Sequence, residues 1–171
     1  PKQVGALYVK AGIRLKPLIE GGGQENGLRS GTENVAAIAG FSTALELAVK
    51  KHQAESKRLI KIRDQSVKFL LDNVSNSAIN GPTSSKRVAN NINLTIEGMD
   101  NEYFLMQLDE LGFQVATGSA CSASSEEASH VLKAIGKPES DARSTIRITM
   151  GKYTDEADIK SLVEALVRLR S

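Results

Sequence analysis

Residues 88–117 read VANNINLTIEGMDNEYFLMQLDELGFQVAT. Val88, Ile92, Leu94 and Ile96 fall on one face of this stretch, and Asn91, Asn93 and Thr95 on the other. That is the period-two pattern of a half-buried strand. Asp100 can cap a following helix that carries Phe104, Leu105, Leu108 and Leu111 and closes at Gly112. Residues 113–117 read as a strand again. A strand, a helix and a strand in close succession predict a small sheet covered by helices.

The pattern continues toward the C-terminus. Residues 118–125 form a loop of small residues. Ser124 and Glu127 have capping-box spacing, which predicts a helix over about 125–135 that stops at Gly136, with Pro138 beyond. Residues 145–150 alternate as a strand. Thr154 opens a last helix, with Asp155 and Glu156 favourable in its first turn and an apolar stripe of Ile159, Leu162, Val163, Leu166 and Val167. From Val88 onward the order is strand, helix, strand, loop, helix, strand, helix, a compact α+β domain.

Toward the N-terminus, residues 76–87 are polar, hold Gly81-Pro82 and read as a loop. No proline interrupts residues 32–73, and apolar residues keep a helical period on both sides of a polar middle, 50–57. One bent helix or two nearly continuous ones fit. Ser30 and Glu33 have capping-box spacing, so the start is expected near Gly31. Residues 4–9 read as a short buried strand. Residues 15–19 are extended and end at Gly21-Gly22-Gly23, where backbone can approach a ligand closely.

The chain has 171 residues, 40% hydrophobic and 25% charged, the composition of a soluble globular protein. A net charge of +2 with interspersed signs argues against a nucleic-acid partner, and the lack of a long apolar run argues against a membrane span. The start at Pro1, without an initiator Met or a signal-peptide pattern, is expected of a fragment or a processed chain. One cysteine makes neither an intrachain disulfide nor a metal site, and a reducing, cytoplasmic compartment is the natural expectation. No His, Asp or Glu cluster has metal-ligand spacing. His52 and His130 are isolated and read as structural.

Three places could carry chemistry. Cys121 lies within ATGSACSASS, residues 116–125, where every neighbour is small or hydroxylic and the loop can bend to expose a thiol. A lone cysteine in a turn fits an inert thiol equally well. Local activation is weak: a free thiol is only about 3% thiolate at pH 7. Glu126 and Glu127 oppose ionisation, and the nearest cations are His130 and Lys133. Arg147 stands on the polar face of its strand, between Ile146 and Ile148, and a guanidinium suits bidentate capture of a carboxylate. A solvated surface arginine is the commoner case. Residues 27–32, Gly27-Leu28-Arg29-Ser30-Gly31-Thr32, combine glycines, hydroxyls and a helix start, a setting that suits phosphate. An ordinary capped helix entry is commoner there too.

Taken together, several segments resemble one family. Gly21-Gly22-Gly23-Gln24-Glu25 followed by Gly27-Leu28-Arg29-Ser30-Gly31-Thr32-Glu33-Asn34 resembles the glycine-rich and Arg-Ser-Gly-Thr segments of cysteine desulfurases. Gly118-Ser119-Ala120-Cys121-Ser122-Ala123 is similar to their catalytic-cysteine loop. Ser129-His130-Val131-Leu132-Lys133-Ala134-Ile135-Gly136 resembles the helix that follows it. Ser144-Thr145-Ile146-Arg147-Ile148 and Gly151-Lys152-Tyr153-Thr154 resemble the final strand and its exit. The matches cover essentially the whole chain in order, and the cysteine loop resembles the NifS/IscS-like group of the class V aminotransferases.

The resemblance implies an α/β protein of fold type I among the pyridoxal-phosphate (PLP) enzymes, here its C-terminal part. Residues 1–50 would end the large cofactor domain, 51–75 would be a linking helix, and 76–171 would be the small α+β domain with the cysteine loop. It implies homodimers that take sulfur from L-cysteine, leave L-alanine, and pass a persulfide to sulfur acceptors or iron–sulfur scaffold proteins. Cys121 would attack the substrate sulfur, Arg147 would hold the substrate carboxylate, and Thr32 would reach the cofactor phosphate of the partner subunit. Gln3 and Asn26 depart from the family's usual glycine and arginine. Lys2 matches the lysine of a Gly-Pro-Lys turn, so the Schiff-base lysine is expected outside this chain. Alternatives are a selenocysteine lyase or cysteine-sulfinate relative, and a non-catalytic fragment or docking module.

Overall fold

The computed structural model describes residues 2–83, 86–117 and 129–170. Chain contacts divide it into two units, Pro1–Gln53 and Ala54–Ser171. A single helix, α1 (Val35–Asn73), runs through the division. Of the two readings left open for residues 32–73, the continuous helix is the one observed. Its start is later than the Ser30–Glu33 spacing predicts. Asn34 is the cap, its Oδ1 accepting from the Ala37 N–H at 3.1 Å, while Ser30 is buried in the turn before it.

The first unit has no hydrophobic core among the described residues; Ser30 alone is buried there. Leu7, Tyr8, Leu18, Val35 and Val49 are all more than two-thirds exposed. The expected buried strand over residues 4–9 is not found. Apolar residues supply a strand's faces but not its hydrogen bonds, and no neighbouring strand among the described residues supplies those.

The second unit is organised on a four-stranded antiparallel sheet in the order β1 (Ser77–Ile79), β2 (Asn91–Ile96), β4 (Thr145–Thr149), β3 (Ala116–Thr117). The alternation read from Val88 to Ile96 holds over β2 and sorts the two faces there, but Val88 lies before the strand and is exposed. Ile92, Leu94, Ile96, Ile146 and Ile148 are buried on one side. They meet Leu59, Ile62 and Leu70 from the second half of α1, Phe104 and Leu108 of α2 (Asn101–Glu110), and Ile159, Leu162, Val163 and Leu166 of α5 (Glu156–Arg170) in one core. Helix α2 ends as expected. Asp100 Oδ1 accepts from the Glu102 and Tyr103 N–H groups, each at 3.0 Å. Gly112 takes the left-handed backbone (φ +85°), and the Phe113 N–H returns to the Leu108 carbonyl.

Several expectations need correction. β1 lies in the stretch read as loop, and the short α4 (Glu139–Arg143) was not foreseen. The helix expected over 125–135 is described only as α3 (His130–Ala134); its proposed cap at Ser124 and Glu127 lies outside the described residues. Helix α5 is capped by Asp155 rather than Thr154: Asp155 Oδ1 accepts from Ala157 and Asp158 N–H groups, and Asp158 answers by accepting from the Asp155 N–H. Thr154 Oγ1 instead accepts from the Gly151 N–H at 3.0 Å.

The opposite face of the sheet carries a buried polar chain. Asn80 Nδ2 lies 2.7 Å from Thr95 Oγ1, Thr95 Oγ1 lies 2.7 Å from Thr145 Oγ1, and Thr145 Oγ1 donates to the Asp141 carbonyl at 2.6 Å. This ties β1, β2, β4 and α4 together. Thr145→Val is isosteric but removes the acceptor of the buried Thr95 hydroxyl proton and one of the two donors to the Asp141 carbonyl, which keeps only the Ser144 N–H. It is expected to destabilise the intact protein by about 1–3 kcal/mol in urea denaturation, whereas Thr145→Ser retains most of the stability.

Candidate functional site

Arg147 is exposed on the polar face of β4. It pairs with Asn93 of β2 on one side and Ala116 of β3 on the other. No ion pair or hydrogen bond engages its guanidinium among the described residues, unlike the other arginines of this unit's core. Arg63 is buried and donates to the Val88 carbonyl at 3.0 Å and to Asp64 Oδ1. Arg87 donates to the carbonyls of Asn80 and Pro82. Burial, and then the neighbouring Arg63 charge, hold Arg87 below the ordinary guanidinium range.

The turn that leaves β4 is fixed from α1. Arg58 donates to the carbonyls of Thr154 (2.7 Å), Gly151 (3.0 Å) and Lys152 (3.1 Å), while Glu55 grips its other edge at 2.8 and 3.0 Å. The hydrogen bond from Arg58 is the main cause that holds the Glu55 carboxyl below its usual range, against a smaller opposing effect of burial. Nothing in the sequence marks Arg58 or Arg63 for these roles, because their acceptors are backbone carbonyls distant along the chain.

Cys121 lies outside the described residues. The described chain just before it is β3, whose Ala116 pairs with Arg147 and Thr117 with Ile146.

Thr32 belongs to the first unit, in the segment before α1. The segment is closed on itself: Gln24 Oε1 accepts from the Gly31 N–H at 3.0 Å, and the Ser30 N–H donates to the Ile19 carbonyl at 3.2 Å. Gly22 makes room for that closure, since a Cβ there would stand 2.8 Å from the Gln24 amide. Thr32 itself is exposed, and its hydroxyl is engaged by no partner among the described residues. Gln24 was not singled out from the sequence as a loop-closing residue. Thr32 and Arg147 thus fall in different units. The described residues include no group of acidic, histidine or cysteine side chains able to hold a metal, and no helix among them is long and apolar enough to cross a membrane.

Residues 1–162 match the family model for aminotransferase class-V. The chain belongs to the class-V aminotransferase family. It is 45% identical over 169 residues to cysteine desulfurase IscS of Dictyoglomus turgidum, covering 99% of this chain and 43% of that protein. It is 43% identical to cysteine desulfurase IscS 1 of Archaeoglobus fulgidus, covering 100% of this chain and 45% of that one. The chain therefore spans less than half the length of these curated relatives. Among solved structures it is similar to a NifS-like protein (TM-score 0.80, 30% identity, 95% of this chain and 41% of the other). A NifS-like protein from Rickettsia africae is comparable (TM-score 0.77, 31% identity, 92% and 41%). The mixed α/β architecture with an antiparallel sheet is thus that of NifS-like class-V enzymes, as the sequence resemblance implies.

Proposed function

We propose that this chain is the C-terminal portion of a PLP-dependent cysteine desulfurase, which moves sulfur from L-cysteine onto Cys121 and releases L-alanine. The observation that carries the reading is the pairing of Ala116 with Arg147. It roots the cysteine-bearing segment in the strand beside an unengaged guanidinium, the two groups needed at opposite ends of one small amino acid. The names of the relatives support the same activity.

In this reading Arg147 anchors the substrate carboxylate and so directs the substrate thiol toward the cysteine segment. The Cys121 thiolate attacks the substrate sulfur; an S–S bond forms as the substrate C–S bond breaks, and the bonding pair left on carbon is quenched by a proton. Pyridoxal phosphate, on which the class-V family depends, supplies the electron sink when bound. The exposed Thr32 hydroxyl, unengaged and three residues ahead of a helix, fits one oxygen of its phosphate. No lysine of this chain is assigned to the cofactor.

Residues 1–50 are proposed to end the large cofactor domain, 51–75 to form the linking helix and 76–171 the small domain. The bare apolar side chains of the first unit support the first of these, since a stretch without its own core needs covering by other protein. A homodimer, a cytoplasmic setting and delivery to sulfur acceptors or iron–sulfur scaffold proteins complete the proposal. The test is to supply the complete protein with pyridoxal phosphate and L-cysteine. Equimolar L-alanine and protein-bound persulfide are expected, and alanine without persulfide contradicts the reading.

A further inference from the structure

The polar chain beneath the sheet has a direction, and that direction reaches Arg147. The Asp141 carbonyl can only accept, so the Thr145 hydroxyl at 2.6 Å spends its proton there. Thr145 Oγ1 must then accept from Thr95, 2.7 Å away. With the Thr95 proton committed, Thr95 Oγ1 must accept from Asn80, which turns the NH2 end of the Asn80 amide toward it at 2.7 Å. The second proton of that NH2 group goes to Asn93, whose Oδ1 lies 2.8 Å away. Each member fixes the next, because every hydroxyl has a single proton. The same orientation leaves the buried Asn80 Oδ1 without a partner, so the arrangement is held at a cost.

The last link fixes Asn93. Its oxygen is taken by Asn80, and its own NH2 group has no acceptor among the described residues. Asn93 stands directly opposite Arg147 in the β2–β4 ladder. Its backbone carbonyl accepts from the Asn80 N–H at 2.9 Å, on the β1 side. Asn93 and Arg147 are therefore a non-hydrogen-bonded pair, the kind in which facing α-carbons approach to about 4.5 Å and side chains lie closest. Two donors without acceptors, one of them cationic, share one position on a half-open face.

We propose that Asn93 is a second substrate-binding residue, its NH2 group donating to the same carboxylate that Arg147 holds. The proposal rests on the reading of Arg147 as the carboxylate anchor. A guanidinium alone lets a carboxylate pivot about the fork; a third donor from the neighbouring strand fixes its plane and with it the direction of the substrate side chain.

The experiment uses the complete, cofactor-loaded enzyme and its Asn93→Ala, Asn93→Asp and Arg147→Ala variants. Calorimetry measures binding of L-alanine and of ethylamine, which is alanine without its carboxylate. Asn93→Asp keeps the acceptor that Asn80 needs and replaces only the donor with a negative oxygen. L-Alanine binding should weaken about tenfold in Asn93→Ala and about a hundredfold in Asn93→Asp, with ethylamine binding within about twofold of the parent. The KM for L-cysteine should rise in step, with a smaller change in kcat. Either variant alone carries the test if the other melts early, since both remove the donor. Unchanged L-alanine binding in the Asn93 variants, alongside a loss in Arg147→Ala, overturns the proposal and leaves the Arg147 reading intact. Equal weakening of both ligands also overturns it, as a general disturbance of the sheet. Unchanged L-alanine binding in Arg147→Ala removes the anchor itself and the proposal with it.

Discussion

Cys121→Ser in the complete enzyme should lower persulfide formation from L-cysteine by on the order of a thousandfold or more. Serine is close to cysteine in size and the neighbours in sequence are already small or hydroxylic, so folding is not the variable. What it loses is the soft, ionisable nucleophile: a hydroxyl does not ionise near neutral pH and cannot form the S–S bond that carries the sulfur away. The measurement is alanine release together with labelled sulfur bound to protein, with L-cysteine, selenocysteine and cysteine sulfinate offered in parallel. Loss confined to L-cysteine supports the desulfurase assignment and makes turnover of the other two a side activity. Sulfur transfer from L-cysteine that survives the substitution favours the selenocysteine-lyase or sulfinate reading, in which the thiol is less needed.

Arg147→Ala should raise the KM for L-cysteine about a hundredfold and change the melting temperature little. A guanidinium gripping a carboxylate makes two charge-assisted hydrogen bonds, each worth about 1.5–3 kcal/mol. The loss of about 3 kcal/mol corresponds to roughly two orders of magnitude in binding. Stability is spared because Arg147 is exposed and anchors no other described residue, and such surface substitutions usually cost about 0.5 kcal/mol or less. Arg147→Lys should recover only part of the affinity, since an ammonium offers charge without the planar fork. Steady-state kinetics beside thermal melting separates the two effects; a large drop in melting temperature with unchanged KM assigns Arg147 to the fold instead.

The parts of this molecule legible in the sequence are those with local causes. The alternation at residues 91–96, the Asp100 cap and the Gly112 stop each concern neighbours along the chain, and each is found. β1 was hidden because Ser77, Ala78 and Ile79 become a strand only where Leu94, Thr95 and Ile96 offer a free edge. Residues 4–9 misled for the converse reason, an apolar run with no edge to join among the described residues. Ser30 and Glu33 have capping-box spacing, yet Asn34 takes the cap because Ser30 is drawn into the turn against Ile19. Arg147 could be read as a polar-face residue from Ile146 and Ile148 alone. Its pairing with Asn93 could not, since register is a property of two strands. The burial of Arg63 is not legible in the sequence because its carbonyl acceptors lie 24 and 25 residues away.

The two strands that form the middle of the sheet are β2 and β4, and the border beside β2 is the three-residue β1. A border that short offers few unpaired amides and carbonyls to a foreign strand. On that side the sheet is thereby guarded against a foreign strand: the isoleucine-bearing β2, which would invite pairing if left at a border, is covered by a strand too short to extend the ladder.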